Sequence, residues 1–125
     1  MYRVAVSTTF TARHRLTVPH AGPEGRLHEH RYHVELEVAG HKLDEHGYLV
    51  DVDALVEELD SFTTRYRESI LNDQPAFEDR NPSIEYFARI AASFFDTNLD
   101  TDRLSALCVT VGEDDVARAS YRLEY

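Results

Sequence analysis

His28 and His30 are the residues of this chain whose types and spacing point most directly to chemistry. They open the run Leu27-His28-Glu29-His30-Arg31-Tyr32-His33-Val34-Glu35-Leu36-Glu37-Val38, which alternates apolar and polar from Tyr32 onward. That is the period of a half-buried β-strand, with Tyr32, Val34, Leu36 and Val38 on one face. Successive strand side chains point to opposite faces, so a regular strand puts both histidines on the apolar side, roughly 6.5–7 Å apart. Two imidazoles at that spacing can converge on one ion. A third ligand would complete a zinc site with a position left open for water or substrate. A solvated strand end would carry the same pair, since the chain holds seven histidines.

What singles the pair out is a matching strand upstream. Residues 3–16 read as a long first strand, with Val4, Val6, Phe10, Ala12 and His14 on one parity and Ser7, Thr9, Thr11 and Arg13 on the other. His14 ends an apolar face just where His28 and His30 begin theirs. If the two strands pair as an antiparallel hairpin, all three histidines gather at one rim of the sheet. The connection between them, residues 17–26, is a loop by its prolines and glycines. Loops at a sheet rim commonly hold reactive groups, and His20 and Glu24 are the candidates here.

The remaining elements must hold that rim in place. Residues 40–47 form a polar turn, after which Asp51 or Asp53 can cap a helix. Leu55, Leu59, Phe62 and Tyr66 give that helix one apolar stripe, ending near Ser69. Asn81-Pro82 opens a second helix as a cap followed by proline, with Ile84, Phe87, Ala88, Ala91 and Phe95 as its buried stripe. Two strands close the chain: Leu107, Val109, Val111 and Glu113 share one face, and Ala119, Tyr121, Leu123 and Tyr125 share another. Glu113, a carboxylate ending an apolar stripe, is either a rim residue in water or a group that hydrogen-bonds something specific.

The order strand-strand-helix-helix-strand-strand predicts an α+β domain over residues 1–125, a four-stranded antiparallel sheet with two helices on one face. Such a sheet has two long edges, most simply covered by other subunits, so a homo-oligomer is expected. A net charge of −10 argues against nucleic acid and anionic membrane as partners. No apolar run is long enough to span a bilayer, and the N-terminus lacks a signal-peptide pattern. The single cysteine, Cys108, excludes an intramolecular disulfide and suits a reducing cytoplasm. Its apolar neighbours predict a thiol packed in the core.

Six short motifs now fall into order: Phe10-x-Ala12-x-His14-x-Leu16, Leu27-His28-x-His30, Gly47-Tyr48-Leu49-Val50-Asp51, Leu71-Asn72-Asp73, Asn81-Pro82-Ser83-x-Glu85 and Val109-x-Val111-x-Glu113. Together they resemble the 6-pyruvoyl-tetrahydropterin synthase and 6-carboxytetrahydropterin synthase family. The resemblance implies the tunnelling fold, whose sheets join into an oligomeric barrel, commonly a homohexamer built as a dimer of trimers. It implies zinc held by His14, His28 and His30, and a pterin ring gripped by Glu113. Ser83 and Glu85 match a segment lining the pterin pocket. It also implies side-chain chemistry on dihydroneopterin triphosphate or a related pterin.

The chain departs from that pattern at the proton-transfer positions. Relatives carry a cysteine four residues before the paired histidines, where this sequence has Glu24. Their Asp-His pair ahead of Leu-Asn-Asp is replaced by Arg67-Glu68-Ser69, and the glycine between the histidines is Glu29. Two readings follow: a zinc-dependent pterin lyase or synthase with Glu24 as general base, or a zinc- and pterin-binding relative whose chemistry is lost or changed. A third resemblance, of Gly22-x5-His28-x-His30-x4-Glu35 to the cupin metal motif, is weakened because Glu35 falls on the opposite strand face.

Overall fold

The alternation along Tyr32–Val38 belongs to a thirteen-residue strand, β2 (His28–Gly40), in the computed structural model, which describes residues 1–125. It pairs antiparallel with β1 (Tyr2–His14) and then, beyond α1 (Val52–Tyr66) and α2 (Ile84–Asn98), with β3 (Ala106–Glu113). A last strand, β4 (Ala117–Glu124), pairs with β3, so the sheet order is β1-β2-β3-β4. Short 3₁₀ turns interrupt the connections at Gly22–Gly25, Leu71–Asp73 and Pro75–Phe77. The predicted four-stranded antiparallel sheet with two helices is the fold observed.

The helices cover one face of the sheet. Tyr32, Val34, Leu36 and Val38 are wholly buried beneath them, as are Leu107, Val109 and Val111 of β3. Phe87 of α2 is the hinge of this core. Its ring centroid lies 6.1 Å from Phe10, 5.5 Å from Tyr32, 5.1 Å from Tyr66 and 5.4 Å from Phe77. Tilted and edge-on rings at such distances add to the area they bury. The core therefore bonds both helices to the strands that carry the histidines.

The helix boundaries differ from the sequence expectation in instructive ways. Asp51 caps α1, its carboxylate accepting the Asp53 N–H at 2.9 Å, and the helix stops at Tyr66. The residues that follow turn back along β1: Glu68 donates its N–H to the Thr11 carbonyl at 2.7 Å, and Arg13 donates to Ser69 at 2.9 Å. At α2 the cap is Ser83, whose hydroxyl accepts the Tyr86 N–H at 3.2 Å. Asn81 is not the cap because its carbonyl oxygen is engaged by the Thr17 N–H at 2.9 Å.

Cys108 also departs from expectation. Leu107 and Val109 take the inward parity, leaving Cys108 half-buried on the open face of the sheet, between Glu37 and Arg122 on the flanking strands. Partial burial and the nearby Glu37 push its thiol pKa up, so it is neither a core residue nor an activated nucleophile. Glu35 lies on that same open face, paired across to Ser7 and Thr110, which removes it from the histidines and with it the cupin reading. No helix is long and apolar enough to cross a membrane.

Candidate metal centre

The β1–β2 register sets His14 directly opposite His28, and Ala12 opposite His30. Strand alternation then turns all three imidazoles to the same side, at the rim where β1 ends and β2 begins. One ligand nitrogen from each ring lies within 4.8 Å of the other two, a spacing at which one ion could be shared. His14 is 2 % exposed, and His28 and His30 are half-buried.

The hydrogen bonds dictate which nitrogen each ring offers. Nδ1 of His14 donates to the Pro82 carbonyl at 3.0 Å, and Nδ1 of His28 donates to the Arg26 carbonyl at 2.7 Å. Nδ1 of His30 donates to the Asp114 carboxylate. All three acceptors lack a proton to give, so each ring carries a hydrogen on Nδ1 and turns Nε2 inward, where that of His30 also meets the Glu113 carboxylate. Outer partners of this kind are what fix ligating histidines in metal sites. The Nε2 atoms of His28 and His30 stand only 3.0 Å apart, and two lone pairs at that distance repel unless a cation or proton lies between them. Burial drives the His14 pKa down to about 4, partly opposed by its bond to Pro82. His14 is thus neutral at pH 7, the state a ligand needs. Three imidazoles are a donor set that suits zinc.

Beside this cluster lies a cavity of about 400 Å³. It is lined by His14 and His30, by Glu113 and Asp114 at the end of β3, by Asn81, Ser83 and Glu85 at the start of α2, and by Glu24. Glu113 ends β3 opposite Tyr32 and approaches His30 Nε2 to 2.8 Å and His14 Nε2 to 3.7 Å. Desolvation raises the Glu113 pKa, against the pull of His30. Glu24, on the Gly22–Gly25 turn, is exposed, and its carbonyl accepts the Leu16 N–H at 2.8 Å, which ties the turn to the end of β1. Ser83 has two duties, capping α2 and lining the cavity. His20, the other loop candidate, is exposed and outside the cavity wall.

Several groups here escaped the sequence reading. Tyr32, read only as an apolar strand residue, places its hydroxyl 3.2 Å from His14 Nδ1, and burial pushes its pKa far up, so it stays protonated. The two asparagines of the short motifs serve as clamps on the loop after β1. Asn72 accepts the Arg15 N–H at 2.9 Å and donates back to the Arg15 carbonyl at 3.0 Å, next to the Asn81–Thr17 bond. Asp114 was missed altogether, although it directly follows Glu113.

Comparison with known proteins bears on the same region. The 6-pyruvoyl tetrahydropterin synthase family model matches residues 3–124. The chain is 32% identical over 105 residues to the 6-carboxy-5,6,7,8-tetrahydropterin synthase of Bacillus subtilis (strain 168), covering 81% of this chain and 70% of that protein. It superposes on the Caenorhabditis elegans 6-pyruvoyl tetrahydropterin synthase with a TM-score of 0.84 at 18% identity, over 98% of this chain and 96% of that one. The Plasmodium vivax enzyme gives a TM-score of 0.83 at 17% identity, over 99% and 98% of the two chains. At such identities the superpositions speak to the fold alone.

Proposed function

The chain belongs to the 6-pyruvoyl tetrahydropterin synthase family, and from that premise we propose that it is a zinc-dependent lyase acting on the side chain of dihydroneopterin triphosphate or a related pterin. The observation that carries this reading is the convergence of ring nitrogens from His14, His28 and His30 beside a cavity that also holds Glu113 and Glu24. His14, His28 and His30 would hold the zinc ion. Bound there, it would supply Lewis acidity, which acidifies a neighbouring hydroxyl.

The chain's own residues do the rest. Glu113, partly desolvated and directed into the cavity, accepts the amino and ring N–H groups of the pterin and so sets which way the side chain points. Ser83 and Glu85 form the facing wall at the start of α2. Glu24, exposed on its turn, is the general base: its carboxylate oxygen takes a proton from the pterin side chain and returns it further along. Substrate seated between Glu24 and Glu113 would exclude water from both. In the Plasmodium vivax enzyme a glutamate is a catalytic residue, which supports a carboxylate in that role.

One observation favours the alternative of a binding protein. In the Arg67-Glu68-Ser69 segment, which stands where relatives carry Asp-His, Arg67 closes α1, Glu68 and Ser69 are spent on backbone hydrogen bonds to β1, and none lines the cavity. Zinc-loaded protein incubated with dihydroneopterin triphosphate, with products followed by chromatography and mass, separates the two. A 6-pyruvoyl, 6-carboxy or 6-hydroxymethyl product supports the lyase. Unchanged pterin that co-elutes with the protein supports the binding reading, and a pterin that is neither bound nor altered sinks both.

The assembly is read in the same spirit. Val116, which lines the cavity, is 87 % exposed, Tyr86 of α2 is also exposed, and β1 and β4 offer open edges. A homohexamer, built as two trimers whose sheets join edge to edge, would cover these surfaces. Unpaired Cys108 suits a reducing cytoplasm, the compartment we assign.

A further inference from the structure

The β3–β4 turn breaks a local rule. Asp114 and Asp115 both adopt left-handed backbone, φ 52° and 57°, and the turn closes with the Val116 N–H on the Glu113 carbonyl at 2.9 Å. Two consecutive left-handed residues in a hairpin turn are the setting where Asn-Gly is favoured, since side chains other than Asn and Asp resist that region and glycine is free in it. Aspartate is among the favoured residues at the first position, and Asp115 stands where glycine is preferred.

The left-handed conformation gives Asp114 a particular placement. Its backbone N–H donates to the Arg31 carbonyl at 2.8 Å, extending the β2–β3 ladder one step past the Tyr32–Glu113 pair. Its Oδ1 accepts the Arg31 N–H at 2.8 Å. Its Oδ2 accepts the Nδ1–H of His30. One carboxylate is thus anchored to β2 backbone through one oxygen and to a candidate metal ligand through the other. Both oxygens act as acceptors, a task an amide cannot copy, because one of its two ends is a donor.

We propose that the β3–β4 turn is part of the metal centre, with Asp114 as a positioning residue that locks His30 in its Nδ1–H tautomer and aims Nε2 at His14 and His28. The inference rests on the reading of the histidine cluster as a metal site and adds to it a carboxylate from outside the ligand set. Outer partners of ligating histidines typically account for 10- to 100-fold in metal affinity.

Asp114→Asn and Asp115→Gly separate positioning from turn stability. Both replacements suit left-handed backbone, so both metal-free proteins should stay folded and melt cooperatively. Asp114→Asn should nevertheless weaken Zn2+ binding, measured by competition with a chelating dye, by about 10- to 100-fold. It should also shift the visible spectrum of the Co2+ form. In the metal-free protein, nitrogen-15 NMR should show His30 moving from Nδ1–H toward Nε2–H. Asp115→Gly should leave all three readouts at wild-type values. Wild-type zinc affinity and an unchanged His30 tautomer in Asp114→Asn would overturn the proposal. So would an affinity loss matched by an equal loss in Asp115→Gly, which would assign the effect to the turn alone. A wild-type protein that binds no zinc would overturn this inference and the underlying metal reading together. Wild-type binding with an insensitive Asp114→Asn would overturn this one only.

Discussion

At the scale of single residues, the proposed site rests on a division of labour between the two nitrogens of each histidine. Nδ1 is spent on Pro82, Arg26 or Asp114, and Nε2 is left for a ligand. His28→Ala should therefore abolish tight zinc binding and leave the core intact, which zinc titration alongside thermal melting would show. Glu113→Ala removes a charged acceptor, and hydrogen bonds to charged groups contribute about 1.5–3 kcal/mol. Pterin affinity in the zinc-loaded protein, read by calorimetry, should drop by about 10- to 100-fold. Burial lowers the His14 pKa from 6.5 to about 4, so the unfolded chain binds more protons between those values. Metal-free stability should hold above pH 6.5 and fall as pH drops through that window, which chemical denaturation at stepped pH would reveal.

At the scale of elements, α2 links the core to the cavity. Ser83 caps the helix through its hydroxyl, so Ser83→Ala should cost about 1 kcal/mol of stability in a denaturant titration. Phe87→Ala should cost roughly 3–5 kcal/mol, because its ring meets Phe10, Tyr32, Tyr66 and Phe77. Much at this scale was legible in the sequence. Period-2 alternation set His14, His28, His30 and Glu113 on inward faces, and the hairpin register needed only antiparallel pairing to bring the histidines together. The α1 and α2 stripes were equally plain. What stayed hidden depended on contacts distant in sequence. Asn81 looks like a cap until Thr17, 64 residues away, takes its oxygen. The carbonyls of Pro82 and Arg26 hold rings through backbone atoms that any residue type would supply. Asp114 sits in a turn whose backbone has no period to read, and the apolar run around Cys108 masks its outward parity.

At the scale of the whole molecule, one sheet face is sealed by helices and the other is open and polar, with Glu35, Glu37 and Arg122 upon it. The edge of β1 is covered by residues 68–70 only near the histidines. The rest of that edge and the outer edge of β4 lack partners within the chain. Light scattering should give a mass six times that of the 14.4 kDa chain, and a monomer at micromolar concentration would contradict the edge argument. The claim that binds all three scales is that pterin chemistry here depends on a metal held by three histidines. Its most direct test is turnover of dihydroneopterin triphosphate before chelation, after chelation, and after zinc is restored. The account predicts activity that is lost with the metal and recovered with zinc; full turnover by the verified metal-free protein would contradict it.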